Sequence, residues 1–316
     1  MDCNAVRVDS IADKEPHMAA IPFKKRKLLA DVHAVTNQKG GVGKTTIDFH
    51  WLVYLVEQGY RVLGIDLDSQ GNFSSRLAPD SRNGGLRSAH LFKEELPDLK
   101  PLQTALGADL IYALNKDDEL SSVEQIGLSA VGPFAKHIQK LAEDYDYIVI
   151  DTPPTNGVRM IAASVVSDHI FVPVELAAFA VDGVISLIET FDMVGPLFGT
   201  QITPTGIICN KYNTRVNAHR ESLEDLRKVV GPKILQNSLS IRGAIDTALR
   251  QCKPVWSMRT NGAERETGVE MIRLMEEMAH RAGVEITPVV IAPKVPRKKK
   301  PVKKKSQSRA KKVGAI

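Results

Sequence analysis

Gln38-Lys39-Gly40-Gly41-Val42-Gly43-Lys44-Thr45-Thr46 is the stretch that decides the fold. Ahead of it, the apolar run Val32 to Val35 reads as a strand. Behind it, Phe49, Trp51, Leu52, Leu55 and Val56 are spaced to suit one face of a helix. Strand, glycine-rich turn and helix, in that order, is the setting in which a backbone cradles phosphate. The glycines let the chain curl until several N–H groups face one point, and the helix start adds its positive dipole end. In such a loop Lys44 reaches the β- and γ-phosphates, and Thr45 ligates Mg²⁺.

Two carboxylate segments downstream complete this chemistry. Arg61 to Leu67 reads as a second strand and runs into the turn-forming cluster Asp68-Ser69-Gln70-Gly71-Asn72. Open parallel sheets place their ligands at such strand ends. Asp66 and Asp68 are two apart on an extended chain, so their side chains share a face. Two carboxylates there need a metal, a water or a basic partner to stay ionised together. Tyr147 to Ile150 reads as a buried strand ending at Asp151, followed by Thr152-Pro153-Pro154. A carboxylate beside the loop's own strand would hold a metal-bound water. A turn cap is the alternative for Asp151 and a solvated loop for Asp66 and Asp68. The four apolar residues before Asp151, the Thr-Pro-Pro turn after it, and the phosphate loop beside the Asp66–Asp68 pair favour the functional readings.

Lys39, the lysine ahead of the glycine pair, departs from the plain phosphate loop, and Gln38 stands where that loop has its first glycine. This K-G-G-x-G-K-T-T pattern resembles the deviant Walker A of the ParA/MinD family of ATPases. The resemblance extends in motif order over about residues 30–280. Asp66 to Asn72 is similar to the family's D-x-D-P-Q-G-N segment, with Ser69 in the proline place. Asp151-Thr152-Pro153-Pro154 resembles its D-x-P-P switch, and Cys252-Lys253-Pro254-Val255 its G-K-P-V-like tetrad. The resemblance implies a P-loop fold, with Gly40, Gly41, Val42, Gly43, Lys44, Thr45 and Thr46 around ATP. It implies Mg²⁺ near Thr45, Asp66 and Asp151, and Asp68 orienting the attacking water. It also implies that Lys39 crosses a dimer interface to the partner's nucleotide. Asn210 stands where the family often contacts adenine, although an asparagine at a strand end is as often a turn former.

The rest of the chain bears on class and partners. Val131 to Leu141, Ala178 to Val194, Arg220 to Val229 and Glu266 to Ala279 read as helices. His169 to Val174 and Thr205 to Cys209 read as strands. Alternation of this kind implies α/β, with a doubly wound, mostly parallel sheet flanked by helices. Residues 79–127 give no clear period. The expected organisation is an irregular leader at 1–27, an ATPase domain at 28–285 and a disordered polybasic tail at 286–316. The cysteines, Cys3, Cys209 and Cys252, form no C-x-x-C pair, so neither a zinc site nor an iron–sulfur centre is suggested. A reducing cytoplasm fits, and no apolar run has transmembrane length.

Net charge is +5 and unevenly placed. Residues 286–316 hold 11 Lys/Arg and no acid, leaving 31 basic and 37 acidic residues in 1–285, a net of −6. Such a tail suits a polyanion: nucleoid DNA bound without base reading, or an anionic lipid surface, unless it is merely solvated. It lacks the bulky apolar residues with which MinD-like tails enter membranes, so no membrane is expected. Arg215, Arg220, Arg242 and Arg259 are candidate DNA contacts on the folded body. By resemblance, the ATP-bound form is a homodimer on non-specific DNA, and a ParB-like partner stimulates hydrolysis to position cargo DNA. A membrane-surface ATPase, a small-molecule ligase of the same superfold and a non-enzymatic DNA-binding regulator remain rival readings.

Overall fold

The computed structural model describes residues 30–79, 84–177 and 180–288. The leader and most of the basic tail lie outside the described residues. The phosphate-loop strand β1 (Asp31–Val35) leads through residues 36–43 into α1 (Lys44–Glu57), then β2 (Val62–Asp66) and α2 (Asn72–Leu77). The stretch without a clear period holds β3 (Leu102–Gln103), β4 (Asp109–Ile111) and α3 (Asp118–Ile126). Then come α4 (Val131–Leu141), β5 (Tyr147–Asp151), α5 (Val158–Val166), β6 (His169–Glu175) and α6 (Ala180–Val194). The chain continues through β7 (Gly206–Asn210), α7 (Asn217–Val230), α8 (Gly243–Arg250) and α9 (Gly262–Ala282).

The strands form one sheet in the order β3-β4-β2-β5-β1-β6-β7. All neighbours are parallel except β3 with β4 at the edge. The central strands are buried on both faces, and alternate residues feed the two cores. Ile148 and Ile150 of β5 join Phe134 of α4, Met160 of α5 and Leu187 of α6. Tyr147 and Val149 join Leu52 of α1 and Met275 of α9 on the other face.

The expectation that α1 buries one face is corrected by the structure. Every residue from Ile47 to Leu55 is buried. The sheet covers one side of the helix and the C-terminal segment covers the other. Tyr54 meets Trp256 edge-on at 6.2 Å, and the Trp256 indole N–H donates to Glu57 at 2.9 Å. The backbone N–H of Val255 donates to His50 Nε2 at 3.1 Å.

Two expected boundaries shift for local reasons. β6 runs past Pro173 to Glu175. Its pairing with β1 stops at Phe171, so the missing N–H of Pro173 removes no ladder bond on that side. α9 begins at a capping box, where Asn261 Oδ1 accepts the Glu264 N–H at 3.0 Å, and ends at Gly283 with φ 68°.

Candidate nucleotide-binding site

Sheet register assembles the site. Val35 of β1 pairs with Asp151 of β5, and Asp151 pairs with Asp66 of β2. Three adjacent strands therefore end level, with the 36–43 loop arching above them. Asn37 pins the loop's entry: its Nδ2 donates to the Pro173 carbonyl at 2.8 Å, and its Oδ1 accepts the Lys39 N–H at 2.9 Å. Thr152 Oγ1 donates to the Val35 carbonyl at 2.9 Å, tying the start of the switch segment to the same strand.

The loop turns through left-handed backbone at Gly41 (φ 74°) and Gly43 (φ 96°). Gly43 is required twice, because a Cβ there would also stand 2.2 Å from Asn210 Nδ2. That amide donates to the Val42 carbonyl at 2.6 Å, while Asn210 Oδ1 accepts the Lys211 N–H at 2.8 Å. Asn210 thus braces the crown of the loop from the end of β7.

Lys44 is buried, and its ammonium donates to the carbonyls of Asn37 (3.0 Å) and Lys39 (3.1 Å). Burial lowers its pKa, and Asp151, Asp68 and Asp48 pull it partly back. Lys39 is exposed, so its main chain is fixed by Lys44 while its side chain projects into solvent. Gly40 and Gly41 are exposed beside it, and Thr46 is half-buried, its carbonyl 2.7 Å from His50 Nδ1.

Thr45 Oγ1 donates to Asp151 Oδ2 at 2.8 Å. Asp151 is fully buried and its Oδ1 meets no donor other than the Asp48 carboxyl beside it; burial raises its pKa to about 7. Asp66, also fully buried, accepts the Asp68 N–H (3.0 Å), the Ser74 N–H (2.8 Å) and the Ser74 hydroxyl (2.7 Å). Burial still holds its pKa well above the usual carboxylate range. Its oxygens brace the turn that carries Asp68. Asp68 is half-buried, with Oδ1 accepting the Gln70 N–H at 3.0 Å.

This donor set suits Mg²⁺: a hydroxyl and a carboxylate with one unmatched oxygen, all hard ligands in a buried pocket. The loop above suits a polyphosphate, with a buried lysine among carbonyls and exposed glycines at the rim. The described residues include no helix long and apolar enough to cross a membrane.

Sequence reasoning missed two groups. Asp48, in the second turn of α1, is wholly buried against Asp151. Its signal was a lone carboxylate in the apolar run Ile47 to Val56, where His50 is the only other strongly polar side chain. Arg159 of α5 is buried, donating to the Leu67 carbonyl (2.9 Å) and to Glu124 (2.8 Å), and so fixes the backbone just before Asp68. No sequence pattern announced it. Of the four arginines considered for DNA, Arg215, Arg220 and Arg259 are exposed, whereas Arg242 is half-buried beside Glu266 (3.5 Å) and Glu270 (3.8 Å).

A family model described as an AAA domain matches residues 30–202. Protein IncC of Escherichia coli is 30% identical over 234 residues, 73% of this chain and 64% of IncC. The match therefore spans just under two thirds of that relative's length. The chromosome partitioning protein ParA of Caulobacter vibrioides is 30% identical over 231 residues, 71% of this chain and 85% of that protein. Among solved structures, an ATP complex of a Cyanothece McdA variant superposes with a TM-score of 0.69 at 21% identity, covering 82% of this chain and 98% of the other. At that identity the likeness is one of fold. Sheet order, phosphate loop and relatives agree, and the chain belongs to the ParA/MinD family of deviant Walker A ATPases.

Proposed function

We propose that this protein is a ParA-like partition ATPase that positions cargo DNA. Mg·ATP supplies the phosphoryl group and the charge that the pocket is built to receive. Lys44 would exchange its two carbonyls for the phosphates, which the backbone of Gly40 to Thr46 would cradle. Thr45 and Asp151 would hold the cation, with Asp66 steadying the turn beside it. Asp68, at the mouth, orients the attacking water; as a half-buried carboxylate it acts more by orientation than as a strong base.

The observation that carries the reading is the disposition of Lys39. Its carbonyl is fixed by Lys44 within its own site, yet the residue is exposed at the rim. A side chain so placed is available to a second copy's nucleotide. Closure of two copies over two Mg·ATP would create the surface that holds non-specific DNA, with exposed Arg215, Arg220 and Arg259 and the Lys-rich tail as contributors. A ParB-like centromere-binding partner would then stimulate hydrolysis and release the dimer. The proposed location is the cytoplasm, on the nucleoid, and no membrane is required.

The test is steady-state ATPase with DNA, partner, both or neither. A low basal rate, raised strongly only by DNA and partner together, supports the reading. A fast rate without either points to a small-molecule enzyme of the same fold.

A further inference from the structure

We propose that Asp48 belongs to the divalent-cation site, as a second buried carboxylate that strengthens its hold on Mg²⁺. Asp48 follows Thr45 by three residues on α1, so the two side chains leave the same helix face. Both are directed at Asp151: Thr45 donates to its Oδ2, and the Asp48 carboxyl lies against it. The two carboxyls hydrogen-bond to each other, and among the described residues no third group donates to either oxygen of Asp48 or to Oδ1 of Asp151. The residue is 0% exposed.

Structural roles do not account for this arrangement. Asp48 is the fifth residue of its helix, past the orphan N–H groups that a carboxylate caps. Among the described residues no ion pair engages it, because the nearby Lys44 ammonium is held by the carbonyls of Asn37 and Lys39. An aspartate is also a poor helix former and here sits among Ile47, Phe49 and Trp51. Two buried carboxyls that have only each other must share a proton or take up a cation, and the cation is the stronger compensation once nucleotide brings one. Two such carboxyls beside the Thr45 hydroxyl make a set of hard oxygens suited to a divalent ion.

The inference rests on the Mg·ATP reading of Thr45 and Asp151, and the experiment separates the two. The full chain saturated with ADP is titrated with Mn²⁺ by electron paramagnetic resonance, as wild type, Asp48→Asn and Asp48→Ala. Thermal melting of each is recorded in EDTA. Both variants should bind Mn²⁺ about 10- to 100-fold more weakly. Both should also melt higher than wild type in EDTA, because they shed an uncompensated buried acid. A residue kept for packing would show the opposite: unchanged Mn²⁺ affinity or lower melting in EDTA, and either result in both variants overturns the proposal. Wild type that takes up no Mn²⁺ with ADP would overturn the nucleotide-site reading itself, and this inference with it.

Discussion

Replacing Gly43 by alanine tests how the phosphate loop is held, and the structure allows its cost to be worked out. Left-handed backbone at φ 96° costs a residue with a Cβ about 1–2 kcal/mol. The new methyl would also stand 2.2 Å from Asn210 Nδ2, so the amide must leave. Its departure strands the buried Val42 carbonyl and releases Lys211, which sits at φ 55°; losing such bonds costs about 1–3 kcal/mol. Gly43→Ala should therefore destabilise the nucleotide-free protein by about 2–5 kcal/mol. Asn210→Ala removes the same bonds and should cost about 1–3 kcal/mol. In the double variant the clash is gone and the Asn210 loss is counted once, so the single costs should exceed the double by about 1–3 kcal/mol. Urea unfolding of the four proteins, with matching slopes, measures this cycle. Additivity to within about 0.5 kcal/mol would refute the brace. Nucleotide binding adds a second readout: a brace weakens ATP and GTP alike when Asn210 is removed, whereas an adenine contact would lose ATP selectively.

Three further expectations concern the site and the tail. Lys44→Ala should abolish nucleotide binding, whereas Asp68→Ala should keep ATP-dependent DNA binding and block turnover; normal turnover by the Asp68 variant would remove that carboxylate from its role. In EDTA, wild type should lose stability relative to Asp151→Asn as pH rises from about 4 to about 7, by urea midpoint. Asp151 has a folded pKa of about 7 against an ordinary 3.8, so the folded state binds the extra proton and stability is highest below that window. A gap that widens in the opposite direction would contradict the buried, unmatched carboxylate. Truncation after Thr287 should weaken DNA binding and flatten its salt dependence, as counterion release by 11 basic residues requires; unchanged affinity and slope would leave the tail as solvated chain.

What could be read in the sequence was whatever depends on short-range pattern. The loop's glycines and Lys44, the strand ending at Asp151 and the turn after Asp66 each announce themselves within about ten residues, because backbone curl and strand termination are local. Helix α4, Val131–Leu141, was legible to the residue, since its apolar period meets a single core face. The failures are tertiary. Helix α1 is buried all round because residues about 200 positions later, around Val255 and Trp256, close over it. Asn210 is fixed to Val42 across 168 residues, and Arg159 to Leu67 across 92, by contacts that no periodicity encodes. Residues 79–127 stayed opaque in part because the strands described there are only two and three residues long, at the sheet edge, too short for alternation to emerge.

The most direct test is the mass in solution of the full chain with Mg·ATP, measured by light scattering on the slow Asp68→Ala variant and on Asp68→Ala with Lys39→Ala. The account predicts a dimer for the first and a monomer that still binds ATP for the second. An ATP-saturated Asp68→Ala protein that remains monomeric, or a Lys39→Ala pair that dimerises as well, would contradict it.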